Sequence, residues 1–94
     1  MKIRFYNNPE TGEPHIYDHG VNEEEAYDIL RNPIEDRPAK NGARSAAGQT
    51  RTGRYLRVIY RRAPEADETL IITAYDLGEK ALRALKRLKR RKKP

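Results

Sequence analysis

The stretch Arg54-Tyr55-Leu56-Arg57-Val58-Ile59-Tyr60-Arg61-Arg62, followed six residues later by Thr69-Leu70-Ile71-Ile72-Thr73-Ala74-Tyr75, decides the fold. In the first segment Leu56, Val58 and Tyr60 alternate with Tyr55, Arg57, Ile59 and Arg61, the two-residue period of a strand with one buried face. The second is nearly continuous in apolar and β-branched residues, as expected of a central strand covered on both sides. Between them Ala63–Glu68 carries Pro64 and reads as a turn, so the two segments are expected to run as neighbours in an antiparallel meander.

Upstream, Asn41–Gly53 is small and polar and reads as a strand entering a hairpin, with Gly48 and Gly53 as breaks. Ile34–Lys40 is interrupted by Pro38, whose missing N–H confines such a strand to an edge. Before it stands a marked helix start. Asn22 is the cap, Glu25 its reciprocal partner three residues on, and Val21 and Ala26 are spaced for a hydrophobic staple. Glu23, Glu24 and Glu25 complement the positive end of the helix dipole. Pro33 pushes Asn32 out of the α region and ends the helix near Arg31. Its apolar face is Ala26, Tyr27, Ile29 and Leu30. Asn7–Glu13 is turn chemistry, His15–Gly20 is irregular, and Met1–Tyr6 reads as a short strand with Ile3 and Phe5 on one face.

Downstream, Asp76 is the expected N-cap of a last helix, with Glu79 three residues on. Leu77, Ala81, Ala84, Leu85 and Leu88 form one apolar stripe, and Lys80, Arg83, Lys86, Arg87 and Arg90 lie off it. The expected architecture is α+β: a small antiparallel sheet of about four strands, packed with an internal helix and a basic C-terminal helix. Residues 1–79 form the compact body; residues 77–94 form the basic helix and tail of the same domain.

Ninety-four residues leave room for one domain with a thin core. There is no Cys, which excludes disulfides and thiolate metal sites. No apolar run approaches the ~20 residues of a membrane span, and the N-terminus lacks a secretory apolar stretch. A cytoplasmic protein with no membrane partner is expected. The net charge of +6 is unevenly divided. Residues 1–79 hold 11 Lys/Arg against 14 Asp/Glu, whereas residues 80–94 hold nine Lys/Arg and no acid. Eight of those 11 stand from Arg37 to Arg62 (Arg37, Lys40, Arg44, Arg51, Arg54, Arg57, Arg61 and Arg62) with no acid among them. Blocks of one sign mark an interaction surface or a solvated tail.

Phosphates are the natural counterpart of such blocks, through counterion release. The candidate nucleic-acid contacts are Arg51, Arg57 and Arg61 in the body and Lys80, Arg83, Lys86, Arg87, Arg90 and Arg91 in the tail. Arginine forks pair with phosphate bidentately, and tyrosine rings stack on unpaired bases. The same residues would also serve as a solvated helix face and as stems lying over a sheet, and an acidic protein is a third counterpart. His15 and His19, with Asp18, make an incomplete zinc set, so neither metal nor other cofactor is expected. An imidazole titrates near neutrality, which makes His19 a candidate acid or base beside its structural reading. Ser45, the only serine, lies in no nucleophile-elbow pattern.

The run His19-Gly20-Val21-Asn22-Glu23-Glu24-Glu25-Ala26, then Asn32-Pro33, then Gly48-Gln49-Thr50 with Gly53-Arg54-Tyr55-Leu56-Arg57-Val58-Ile59-Tyr60, then Ile71-Ile72-Thr73-Ala74, resembles the BrnT toxins, which belong to the broad group similar to RelE and ParE toxins. The resemblance covers about residues 15–76. It implies a compact α+β toxin of a type II toxin–antitoxin pair, an endoribonuclease that cleaves RNA without a metal and is covered by a cognate antitoxin. His19, Arg54 and Tyr60 match the family pattern. Tyr75 stands where the family's last strand offers Arg, so the resemblance leaves Tyr75 or Arg62 to take that role. The long basic ending is this chain's own. Two functions are therefore expected: cleavage of RNA, with His19, Arg54, Tyr60, Arg62 and Tyr75 as catalytic candidates, or RNA or ribosome binding without cleavage on the same fold. A weaker third is docking of the Leu/Ala stripe in a protein partner's groove.

Overall fold

The computed structural model describes residues 2–91. Met1, Lys92, Lys93 and Pro94 lie outside them, and with them the expectations that placed Met1 in a strand and residues 92–94 in the basic tail. One five-stranded sheet organises the chain: β1 (Lys2–Phe5), β2 (Glu35–Pro38), β3 (Arg44–Gln49), β4 (Tyr55–Ala63) and β5 (Glu68–Asp76), in the order β1-β5-β4-β3-β2. Two α-helices accompany it, α1 (Glu23–Arg31) and α2 (Glu79–Arg91).

The sheet differs from the antiparallel four-stranded expectation. It has five strands and is mixed, because β1 pairs parallel to β5, from Lys2 opposite Glu68 to Phe5 opposite Ile71. A parallel neighbour is reached only through a long crossover, and here nearly the whole body lies between the two strands. The meander β2-β3-β4-β5 is antiparallel as expected, with β2 at the edge where Pro38 belongs.

β5 also departs from the doubly covered reading. Ile59 faces Thr73 but Tyr60 faces Ile71, so Ile72 is an extra residue in β5, a bulge. The bulge breaks the alternation and turns Thr69, Ile71 and Ala74 to the buried side. The apolar run therefore reflects a change of phase within a strand that buries one face fully and the other in part.

That buried face carries Ala46, Leu56, Val58, Tyr60, Ile71 and Ala74 and packs against Ile16, Val21, Ala26 and Ile29 from α1 and the preceding turn. The capping box forms as the sequence implies. Asn22 Oδ1 accepts from Glu25 N (2.8 Å), and Glu25 Oε1 accepts from Asn22 N (3.0 Å). Val21 and Ala26, the staple pair, are both buried. Gly48 has a packing reason: a Cβ there would lie 3.4–3.5 Å from the backbone of Asn32, Pro33 and Ile34, where β3 passes the α1–β2 turn.

α2 starts two residues later than expected. Asp76 is not its cap, because that carboxylate ends β5 and holds Arg54 instead. No helix among the described residues is long and apolar enough to cross a membrane.

Candidate nucleic-acid interface

The face of the sheet opposite α1 is built by register. Arg57 lies between Ala47 and Tyr75, Ile59 between Ser45 and Thr73, and Arg61 opposite Leu70. On β2, Glu35 faces Ala47 and Arg37 faces Ser45. This face thus mixes Arg37, Arg57, Arg61, Ser45, Thr73 and Tyr75 with Glu35 and with apolar Ala47, Ile59 and Leu70, and Ala47 and Ser45 are buried in it.

α2 covers part of this face. Leu85 is its one buried residue among those described. Lys89 Nζ donates to Gln49 Oε1 (2.6 Å), and the ammonium groups of Lys86 and Lys89 lie 5.4 and 5.9 Å from the Tyr55 ring centre. Ala81, Leu82 and Leu88 are half-buried beside Leu85, and the two lysines add their stems along the sheet.

Between α2 and β2 runs a groove of about 580 Å³ lined by Glu35, Arg37, Arg57, Lys80, Ala84 and Leu85 among others. A trough of about 430 Å³ adjoins it, lined by Arg37, Lys40, Ser45, Arg57, Ile59 and Tyr75 among others. Arg37 and Arg57 line both. Arg57 is fixed: Nη1 donates to Ser45 Oγ (2.7 Å), with Glu35 3.8 Å away, and its side chain is only 15% exposed. Ser45 itself is nearly buried. Three cations line the trough, and Glu35 in the adjoining groove pairs with two of them, Arg37 at 3.6 Å and Arg57 at 3.8 Å.

The five catalytic candidates divide between separate places. Arg54 is clamped: Nε and Nη2 donate to Asp76 Oδ1 and Oδ2, both at 2.9 Å, and Nη1 donates to Gly20 O (2.7 Å) and Glu25 Oε1 (3.0 Å). The forked bond to Asp76 raises its pKa further above the already high arginine value, with Glu25 adding to the effect. Gly20, at φ 69°, closes the turn that presents this carbonyl, a left-handed conformation suited to glycine. Tyr60 lies in the core, 1% exposed, and its hydroxyl donates to Asp36 Oδ2 (2.5 Å). Burial, and then the Asp36 carboxylate, push its pKa up. Arg62 sets its guanidinium 5.6 Å from the Tyr60 ring centre. Tyr75, on the opposite face from Tyr60, lines the trough, and His19 packs edge-on against its ring at 6.1 Å.

The binding candidates divide too. Arg51 is paired with Glu24 (3.3 Å) and Asp28 (3.1 Å), and Arg61 donates to Asn41 O (2.5 Å). Arg83 is paired with Glu79 along α2 (3.0 Å). Lys80, Arg87, Arg90 and Arg91 make no ion pair among the described residues, and the last three rim a shallow hollow. Five of the eight basic residues from Arg37 to Arg62 are therefore answered by acids, Arg37 and Arg44 by near ones and Arg51, Arg54 and Arg57 by distant ones. Within that block the cations with no ion pair among the described residues are Lys40, Arg61 and Arg62, and on α2 they are all but Arg83. Arg37, Lys40 and Ser45 were not among the candidates; Arg37 and Lys40 stood in the counted block, but only strand register brings them to Arg57. Among the described residues no three His, Asp or Glu side chains gather in a metal-holding group.

This geometry defines a small α+β protein with a cationic trough and helix on one sheet face. Comparison with known proteins returns no match: no family model, no curated protein and no solved structure matches the chain.

Proposed function

We propose that this chain binds RNA along the sheet face bearing α2 and the Arg57 trough, as a cytoplasmic protein of the RelE- and BrnT-like kind. The observation that carries the reading is the gathering of cations on this one face. Lys80 lines the groove, which leads past Arg37 and Arg57 into the trough, and Arg87, Arg90 and Arg91 rim a separate hollow farther along α2. Fixed arginine and serine donors suit phosphate oxygens, and the remaining cations supply counterion release. The motif resemblance over residues 15–76 supports the same reading.

A second reading is RNA cleavage, as in a toxin held in check by a cognate antitoxin over this face. The contact between His19 and Tyr75, beside Arg57, favours it. In that form the ribose 2′-hydroxyl gives its proton to His19 or Tyr75 and attacks the adjacent phosphate. The P–O5′ bond breaks to leave a 2′,3′-cyclic phosphate, and the departing 5′-oxygen takes up a proton from the other of these two groups or from water. Arg57 balances the charge gathering on the phosphorus oxygens. Arg54 then serves as a positioning residue, because its donors are already engaged by Glu25 and Asp76.

Two measurements test the proposal. Titration of a labelled single-stranded RNA at several salt concentrations should give an affinity that falls steeply with salt; affinity indifferent to salt would overturn it. Incubation of the same RNA with excess chelator separates the readings. Cleavage that persists and is lost in Tyr75→Phe or Arg57→Gln supports the second, and intact RNA with retained binding leaves the first.

A further inference from the structure

Four aromatic rings stand in an unbroken row along the edge of the sheet. Tyr6 meets His15 with ring centres 6.3 Å apart, His15 meets His19 at 5.3 Å, and His19 meets Tyr75 at 6.1 Å, each pair edge to face. The fold makes this row possible. β1 pairs with β5 only as far as Ile71, so the 3-10 turn His15–His19 takes up the remaining length of that edge. The row is open rather than core: Tyr6 is 48% exposed, His19 is exposed, and His15 and Tyr75 are half-buried. Burial, the structural cause that accounts for most aromatic clusters, is only partial for His15 and Tyr75 and does not account for Tyr6 and His19.

Tyr75 belongs both to the row and to the trough of Arg37, Lys40 and Arg57. A cationic channel that leads onto a line of rings open in part to solvent is the arrangement that tracks a single-stranded nucleic acid, phosphates in the channel and bases against the rings. A duplex keeps its bases stacked inside and has none to offer. The row carries one carboxylate contact, Asp18 at 3.2 Å from His15 Nδ1, and Asn8 Nδ2 also donates to it (2.9 Å). Phosphates are thus favoured at the trough end and bases at the ring end, which gives the strand a direction across the molecule.

We infer that the row Tyr6, His15, His19 and Tyr75 is a stacking platform for the unpaired bases of a single-stranded RNA whose phosphates lie in the trough. The inference rests on the RNA-binding reading, and deepens it by naming the substrate as unpaired.

The test uses the full chain, a short RNA carrying 2-aminopurine, the same RNA annealed to its complement, and an abasic strand of equal length. The single strand should bind at least tenfold more tightly than the duplex, with a change of 2-aminopurine fluorescence that marks stacking. Deleting rings, in Tyr6→Leu with His19→Leu, should weaken the single strand about tenfold and leave the abasic strand unchanged. Exchanging ring for ring, in Tyr6→Phe with His19→Phe, should keep the affinity. The ring exchange covers the case in which the leucine variant fails to fold, and it removes the His19 imidazole, so retained affinity shows that binding needs the ring and not its nitrogens. Equal binding of single strand and duplex, or unchanged binding after ring deletion, overturns the platform while RNA binding stands. No salt-dependent binding of any strand overturns both.

Discussion

Arg54 and Asp76 meet fork to fork, Nε to Oδ1 and Nη2 to Oδ2, both at 2.9 Å. The same guanidinium reaches Glu25, whose Oε1 closes the capping box of α1. One arginine therefore ties the start of α1, the turn ending at Gly20 and the end of β5. Bidentate charge-assisted bonds are the stronger kind, and removing one partner leaves the others without a counter-charge. Arg54→Ala should lower stability by about 2 kcal/mol, roughly 10 °C in Tm. RNA affinity should change little at a temperature where the variant is folded. A thermal melt and an RNA titration on the same sample decide the matter; loss of RNA affinity with an unchanged Tm would make Arg54 a ligand-binding residue.

That clamp also marks what sequence reading reaches and what it misses. Asn22 and Glu25 were legible because a capping box is a local code of three residues. The alternation of Arg54–Arg62 was legible because strand period is local too. The partners of Arg54 lie 29 and 22 residues away, and the acids that answer Arg44 and Arg51 sit on other elements. The stretch from Arg37 to Arg62 is thus an unbroken basic block in sequence and largely a set of ion pairs in the fold. Likewise nothing in Lys2–Phe5 names Glu68–Ile71 as its parallel partner. The Ile72 bulge was hidden because an extra apolar residue in an apolar run leaves no mark. Of the trough, Arg57 was visible as an outward-facing arginine. Its pairing with Ser45 follows from register alone.

Acid should weaken the fold through two aspartates. The Arg54 fork holds the Asp76 carboxyl below its ordinary value. Asp28 is lowered chiefly by the Arg51 backbone N–H, with Arg31 and the Arg51 charge adding to it. A group with a depressed folded-state pKa lends stability that is complete above its unfolded value of about 4. That stability is lost as pH falls through the folded value. Tm should therefore decline from about pH 4 downward, and less steeply in Asp28→Asn and Asp76→Asn. Because Asp76 is largely exposed, solvent screening keeps its share small. Parallel Tm–pH curves for all three proteins would show that these carboxylates are not the cause.

At the alkaline end Tyr60 gives the opposite sign. Its folded pKa is raised by burial and by Asp36, so its contribution is complete below about pH 10 and is lost as pH rises through the folded value. Tyr60→Phe removes the bond to Asp36, which keeps Arg44 at 3.0 Å, and should cost about 1 kcal/mol. A hydroxyl held in the core and engaged by a carboxylate is poorly placed for substrate, so RNA binding and any cleavage should be unchanged. A fall in cleavage at constant Tm would return Tyr60 to the reaction.

The lysines and arginines of α2 should separate by what they already touch. Lys89 is spent on Gln49 and Tyr55, whereas Lys80, Arg87 and Arg90 have no ion pair among the described residues. For single strands the slope of log affinity against log salt changes by about 0.7 for each phosphate neutralised. Replacing Lys80, Arg87 and Arg90 together by Gln should therefore reduce that slope by about 2, with little effect on Tm because these side chains stabilise nothing in the fold. Lys89→Gln should do the reverse. It removes a charge-assisted bond that helps Leu85 hold the helix, so amide exchange along α2 should quicken while the salt slope falls by less than one phosphate's worth. If the triple replacement leaves the slope unchanged, α2 is a solvated helix face, and the RNA contact must be sought in the trough alone.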